Sequence, residues 1–386
     1  MIPNNFIVKF IPLLFVAKCY AVITSTELVE TDKGLVQGEI LKTVPGRIKY
    51  SSFKGIPYAE PPLGANRFKY AAEAKPWKGV LNATKDPSPC SQWYPEGNTY
   101  FGNEDCLYLN VFTPVVCNIF FYPVMVWIHG GNFMFGSMNT YTPDLFLEKD
   151  VIIVAMNFRL GAFGFLSLNH SLANGNAGLK DQLQALRWVK KNIRNFGGDP
   201  ERVTIFGEDT GAVSVELHNL CDESVGLYRE SIAVDGVLLN PRVFYSRSKA
   251  QERTKILVRK LGLQKFTGPK LYSILERVKA DLIARISFRM MLELRDIPFK
   301  PTVESKAISE HPFLTTCPAD KFKAGNYSQT PHILGQKEKS LNFRDRTRHA
   351  RGVGRYSVNI NHYKNSFFYR DSFDYKLALA KEKIEP

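Results

Sequence analysis

The stretch that most narrows what this chain can fold into runs from Phe196 to Ala212 and reads Phe-Gly-Gly-Asp-Pro-Glu-Arg-Val-Thr-Ile-Phe-Gly-Glu-Asp-Thr-Gly-Ala. It predicts a loop, a short apolar strand and a Gly-x-x-x-Gly turn into a helix. Gly207 and Gly211 leave the crowded turn free of side chains, so that the residue midway between them, Asp209, projects from its tip. A turn of this kind is a nucleophile elbow. The residue type it displays decides what chemistry is open to it.

The surroundings supply the strands and helices such a turn requires. Tyr122 to Ile128 and Val151 to Met156 read as buried strands of β-branched and apolar residues, and Arg202 to Phe206 as the strand before the turn. Ala177 to Asn195 reads as a helix with Leu179, Leu183, Leu186 and Ile193 on one face, and Lys190, Lys191 and Arg194 in its last turn complement its negative end. Ala212 to Asn219 is the helix after the elbow, and residues 27 to 115 read as short strands and loops punctuated by Pro and Gly. Alternation of this kind predicts an α/β fold with a mostly parallel sheet covered on both faces. With 386 residues, 44% of them hydrophobic, the chain can bury a large core.

Lys9, the apolar run Phe10 to Ala17 and the small residues before position 22 predict a secretory signal peptide over residues 1–21, leaving a domain over 22–386. No later run reaches about 18 apolar residues, so the expectation is a secreted, extracellular product with no membrane anchor. Sequons at Asn82, Asn169 and Asn326 are consistent with that route. The net charge of +14 admits an acidic partner, but the reading favoured here spreads the basic residues over a solvated surface, including the run Arg344, Arg346, Arg348, Arg351 and Arg355. No nucleic-acid motif appears, and no cofactor or metal is expected.

Several separated motifs resemble the type B carboxylesterases and cholinesterases, in the family's order. They are Phe53 to Gly64 with Arg67-Phe68, Glu104 to Val111, Pro123 to Ser137, Asn157 to Leu166 and Gly175 to Gln182. The match runs from about residue 27 to 300 and then weakens. The resemblance implies an α/β-hydrolase fold. It also implies a Cys90–Cys106 disulfide restraining residues 93 to 103; Cys117, Cys221 and Cys317 match no second family bridge and are read as buried free thiols. It implies too an oxyanion hole formed by the amides of Gly130, Gly131 and Thr210, with His129 as a hydrogen-bonding residue of that turn.

Against that pattern the chain departs at the chemistry. Relatives carry serine where Asp209 stands, and losing the serine of such a triad costs about six orders of magnitude in turnover. None of the histidines, 129, 170, 218, 311, 332, 349 and 362, sits in the family's histidine context, and the chain stops about where that segment is expected. Glu338, in a Lys-rich loop, aligns with the acid position only across a small gap. Val234-Asp235-Gly236 replaces the family's Gln-Ser-Gly behind the centre and brings a second carboxylate toward Asp209. The expectation is a carboxylesterase-like protein lacking a competent triad, which binds a small apolar ligand or an extracellular protein partner. Two alternatives stand beside it: a carboxylic ester hydrolase assigned by resemblance alone, and a hydrolase with Asp209 as nucleophile and His349 or His362 as base.

Overall fold

The structure, a computed structural model, describes residues 25–94, 97–114, 121–337 and 356–361. Its centre is a nine-stranded sheet. In chain order the strands are β1 (Glu39–Lys42), β2 (Lys49–Pro57), β3 (Tyr108–Pro114), β4 (Tyr122–Ile128), β5 (Ile152–Met156), β6 (Gly198–Glu208), β7 (Glu230–Val234), β8 (His332–Lys337) and β9 (Tyr356–Asn361). Their spatial order is β9-β8-β7-β6-β4-β5-β3-β2-β1. The five strands β5, β4, β6, β7 and β8 run parallel, while β1, β2 and β3 on one flank and β9 on the other pair antiparallel.

Chain order explains where a site can form. From β4 the chain steps to β5 on one side and then crosses to β6 on the other. The loops leaving β4 and β6 therefore part at a topological switch point, where open α/β sheets leave a crevice beyond the carboxyl ends of their strands. Register aligns the two loops, because Ile128 at the end of β4 lies opposite Gly207 of β6.

The helices that matter are α1 (Ala177–Asn192), α2 (Thr210–Asn219), α3 (Arg247–Lys260), α4 (Gly268–Leu275) and α5 (Ala280–Leu294). The first ends three residues before the expected boundary and continues as a 3-10 turn, Ile193–Phe196. Its apolar stripe is buried as expected, but so are Lys180, Asp181, Gln182 and Gln184. It is an interior helix rather than a one-sided surface helix, and its polar groups are spent on partners. Asp181 takes a two-pronged contact from Arg159, Nε at 2.7 Å and Nη2 at 2.5 Å, and Lys180 Nζ meets Glu304 at 2.6 Å. Every residue of α2 is buried.

Candidate functional site

β6 ends at Glu208 and α2 begins at Thr210, so Asp209 alone makes the reversal, with φ 56° and ψ −123°. A non-glycine residue held there costs on the order of 1–3 kcal/mol, which the packing around it must offset. Aspartate is among the residues that tolerate positive φ best. The neighbours leave no choice of path. A Cβ added to Gly207 would lie 2.5 Å from the carbonyl carbon of Gly211, and one added to Gly211 would overlap the carbonyl oxygen of Ile128.

The loop leaving β4 bends through Gly131, Asn132 and Phe133, with φ of 113°, 56° and 55°. That bend turns two amides onto the elbow. Gly131 N donates to Asp209 Oδ2 at 3.0 Å and Asn132 N donates to the same oxygen at 3.2 Å. Thr210 Oγ1 accepts from Phe133 N at 3.3 Å and stands 3.4 Å from Asp209 Oδ2. The side chain of Asp209, exposed to solvent, thus reaches back across the crevice and is held by the amides nearest to it.

This arrangement refines the residues read from sequence. The donating amides are those of Gly131 and Asn132, one residue farther along than the expected Gly130 and Gly131, and Thr210 contributes its hydroxyl in the contacts seen here. Gly130 has a steric part, since a Cβ there would sit 2.5 Å from the Glu208 carbonyl oxygen and 3.0 Å from Asp209 Cβ. Behind the elbow, Asp209 N donates to Val234 O at 3.0 Å, and Asp235 N donates to Gly335 O at 2.8 Å. The Val234–Gly236 turn therefore lies against the elbow's backbone.

His129 is buried, its Nδ1 is 2.9 Å from Gly130 O, and its ring stacks on Phe158 at 4.4 Å. Burial lowers its pKa to about 4, so the ring is neutral at pH 7. His218 is pinned between Ser224 Oγ at 2.8 Å and Gln182 Oε1 at 3.1 Å, and burial lowers it to about 3. His332, also buried, sits 2.8 Å from Ser231 Oγ and is lowered to about 4. Among the described residues no histidine hydrogen-bonds Asp209. Glu338, His349, His362, Cys117 and the arginine run from 344 to 355 lie outside the described residues.

The disulfide Cys90–Cys106 is present, and Cys221 and Cys317 are free, with burial raising the Cys221 thiol. Inside the loop it closes is a residue the sequence reading missed. Gln92 Nε2 donates to Gly136 O at 2.9 Å and Gln92 Oε1 accepts from Gly136 N at 3.0 Å, so its amide joins the bend at 131–136 as a strand partner would. No local pattern announces such a contact. Trp93, Met134, Phe135, Phe163 and Phe288 line a cavity of about 10 Å³ next to this bend, room for one water-sized group, and Asp209 is not part of its wall. Asn82 and Asn326 are exposed. Among the described residues no helix is long and apolar enough to cross a membrane.

The fold and motifs have counterparts among known proteins. Venom carboxylesterase-6 of Apis mellifera is 38% identical over 315 residues, covering 80% of this chain and 56% of that protein. Juvenile hormone esterase of Tribolium castaneum is 36% identical over 347 residues, covering 86% of this chain and 58% of that protein. Among solved structures, the crystal structure of juvenile hormone esterase from Manduca sexta, with OTFP covalently attached, superposes with a TM-score of 0.74 at 30% identity over 80% of this chain and 59% of that one. The chain therefore spans a little over half the length of these relatives. With the Carboxylesterase family model matching residues 25–384 and an α/β-hydrolase sheet carrying the elbow at its switch point, this chain belongs to the carboxylesterase family.

Proposed function

We propose that this carboxylesterase-like protein is secreted and acts by binding rather than by hydrolysing esters. One observation carries the reading: the carboxylate of Asp209 stands in the nucleophile's seat and accepts the amides of Gly131 and Asn132. Ester hydrolysis needs a hydroxyl there, and it needs amides of this kind free to receive the negative oxygen that develops on the substrate. A carboxylate supplies no hydroxyl, and its own charge opposes a second negative oxygen at the same donors. The bond network is self-satisfied before any substrate arrives.

The cavity beside the 131–136 bend is the place for an occupant. Its aromatic and thioether wall suits an apolar group, but the enclosed space of about 10 Å³ admits only one water-sized group, so an occupant has to part these side chains. The occupant this reading calls for is a small apolar molecule, or one side chain inserted by an extracellular protein partner, seated as those side chains move apart. The test is hydrolysis of short and medium acyl esters by the secreted chain, after a cooperative melt has been confirmed, with Asp209→Ala alongside. The reading expects no turnover from either form. Turnover that disappears in Asp209→Ala would overturn it and make Asp209 a nucleophile.

A further inference from the structure

The chain's basic character is not spread evenly. Residues 25–246 carry twenty Lys and Arg against twenty-three Asp and Glu, a net of −3, whereas residues 247–300 carry fourteen against five, a net of +9. That short segment is the helical lobe α3 to α5, so the charge is concentrated there rather than dispersed as expected, with a further +6 carried by residues 301–386. Within it, from Arg253 to Leu275, six cations occur and no acid.

Packing disposes of two of the six. Arg253 is buried against Tyr245 and Asp296, and Lys260 pairs with Glu293 of α5 at 2.6 Å. The other four, Lys255, Arg259, Lys265 and Lys270, are exposed and make no ion pair among the described residues. They share one corner of the lobe. Lys255 and Arg259 are one turn apart on the outer face of α3. The chain then folds back tightly, with Leu263 N donating to Val258 O at 2.9 Å and Phe266 N to Leu263 O at 3.0 Å. Lys265 and Lys270 converge on the Phe266 ring, their ammonium groups 5.2 and 5.4 Å from its centroid. Two like charges gathered on one ring, beside two more at the end of α3, repel one another until an anion neutralises them.

We propose that this corner is a docking surface for a sulfated polysaccharide. Spaced, exposed cations with no acid in their stretch of sequence, and with Glu293 already paired to Lys260, suit a chain of fixed, repeating anions. A lipid surface would call for exposed apolar side chains between the cations, and here Leu261, Leu263 and Phe266 are partly buried in the core beneath. The proposal does not depend on whether the elbow is catalytic.

The test uses the full secreted chain on immobilised heparin and on a sulfopropyl resin of matched charge density. The unsubstituted protein is expected to elute from heparin at clearly higher salt than from the sulfopropyl resin. Neutralising the corner (K255Q, R259Q, K265Q and K270Q together) should remove that excess and flatten the dependence of log affinity on log salt by up to about four ions. Neutralising four exposed lysines elsewhere (K42Q, K49Q, K78Q and K85Q) should leave the excess in place. All eight positions are exposed, and a melt of each variant confirms folding. The proposal is overturned if both variants lose retention equally or if heparin shows no excess. It is also overturned if the loss follows substitution of Arg344, Arg346, Arg348, Arg351 and Arg355 instead, or if phosphatidylserine vesicles capture the chain while heparin does not.

Discussion

Asp209 shows how one side chain can close a site without disturbing its frame. The elbow's path is dictated by Gly207, Gly211 and the Ile128 carbonyl, none of which depends on what stands at 209. Asp209→Ala should therefore keep the turn but lose two charge-assisted hydrogen bonds, lowering stability by about 1–2 kcal/mol in a urea titration. Glu216 makes a different prediction. It is fully buried in α2, accepts the Leu238 amide, and its other oxygen has no partner, so burial raises its pKa to about 7. A carboxyl with its folded pKa above its unfolded value, near 4.5, weakens the fold as pH rises between those two values, and the loss is complete above about 7. Glu216→Gln keeps the acceptor and removes the charge, so it should gain up to roughly 3 kcal/mol at pH 8 and nothing at pH 4.5. Denaturant midpoints at the two pH values decide this.

At the scale of elements, the strands β4, β5 and β6 and the helices α1 and α2 were legible because each carries a dense apolar run bounded by Gly, Pro or Asn. The elbow was legible because its glycines mark positions where backbones touch. Two things were not. The shift from Gly130 to Asn132 as a donor depends on how the 131–133 bend rotates its amides, and spacing alone does not encode that rotation. Gln92 acts across 44 residues, through a contact that exists only once the Cys90–Cys106 loop is laid against the bend. The disulfide and Gln92 should separate by experiment. Replacing Cys90 and Cys106 together by serine should cost about 3 kcal/mol, while Gln92→Ala should cost less in stability and shift the amide resonances of residues 131 to 136. The buried Arg159–Asp181 pair ties the loop after β5 to α1. Breaking it with Asp181→Ala leaves a buried guanidinium exposed to no counter-charge and should cost about 3–5 kcal/mol by thermal or urea unfolding.

For the whole molecule, acid stability follows from the histidines the fold holds neutral. His129, His218 and His332 all have folded pKa values depressed by burial, to about 4, 3 and 4. Each contributes stability above its unfolded value near 6.5 that is lost as pH falls toward the folded one. The melting temperature should therefore drop steeply from pH 6.5 to pH 4, and replacing His218 with glutamine should shallow that drop. The net charge of +14 is a property of the bare sequence, yet its concentration in the helical lobe, +9 over residues 247–300 against −3 over residues 25–246, emerges only when charge is set against the elements that carry it. Across residues 25–300 the charge is separated, −3 against +9, and that separation gives this part of the molecule a dipole moment. A polyanionic matrix would pull on α3 to α5 before it touched them, turning that lobe toward itself ahead of the crevice, by an amount that fades as salt is added.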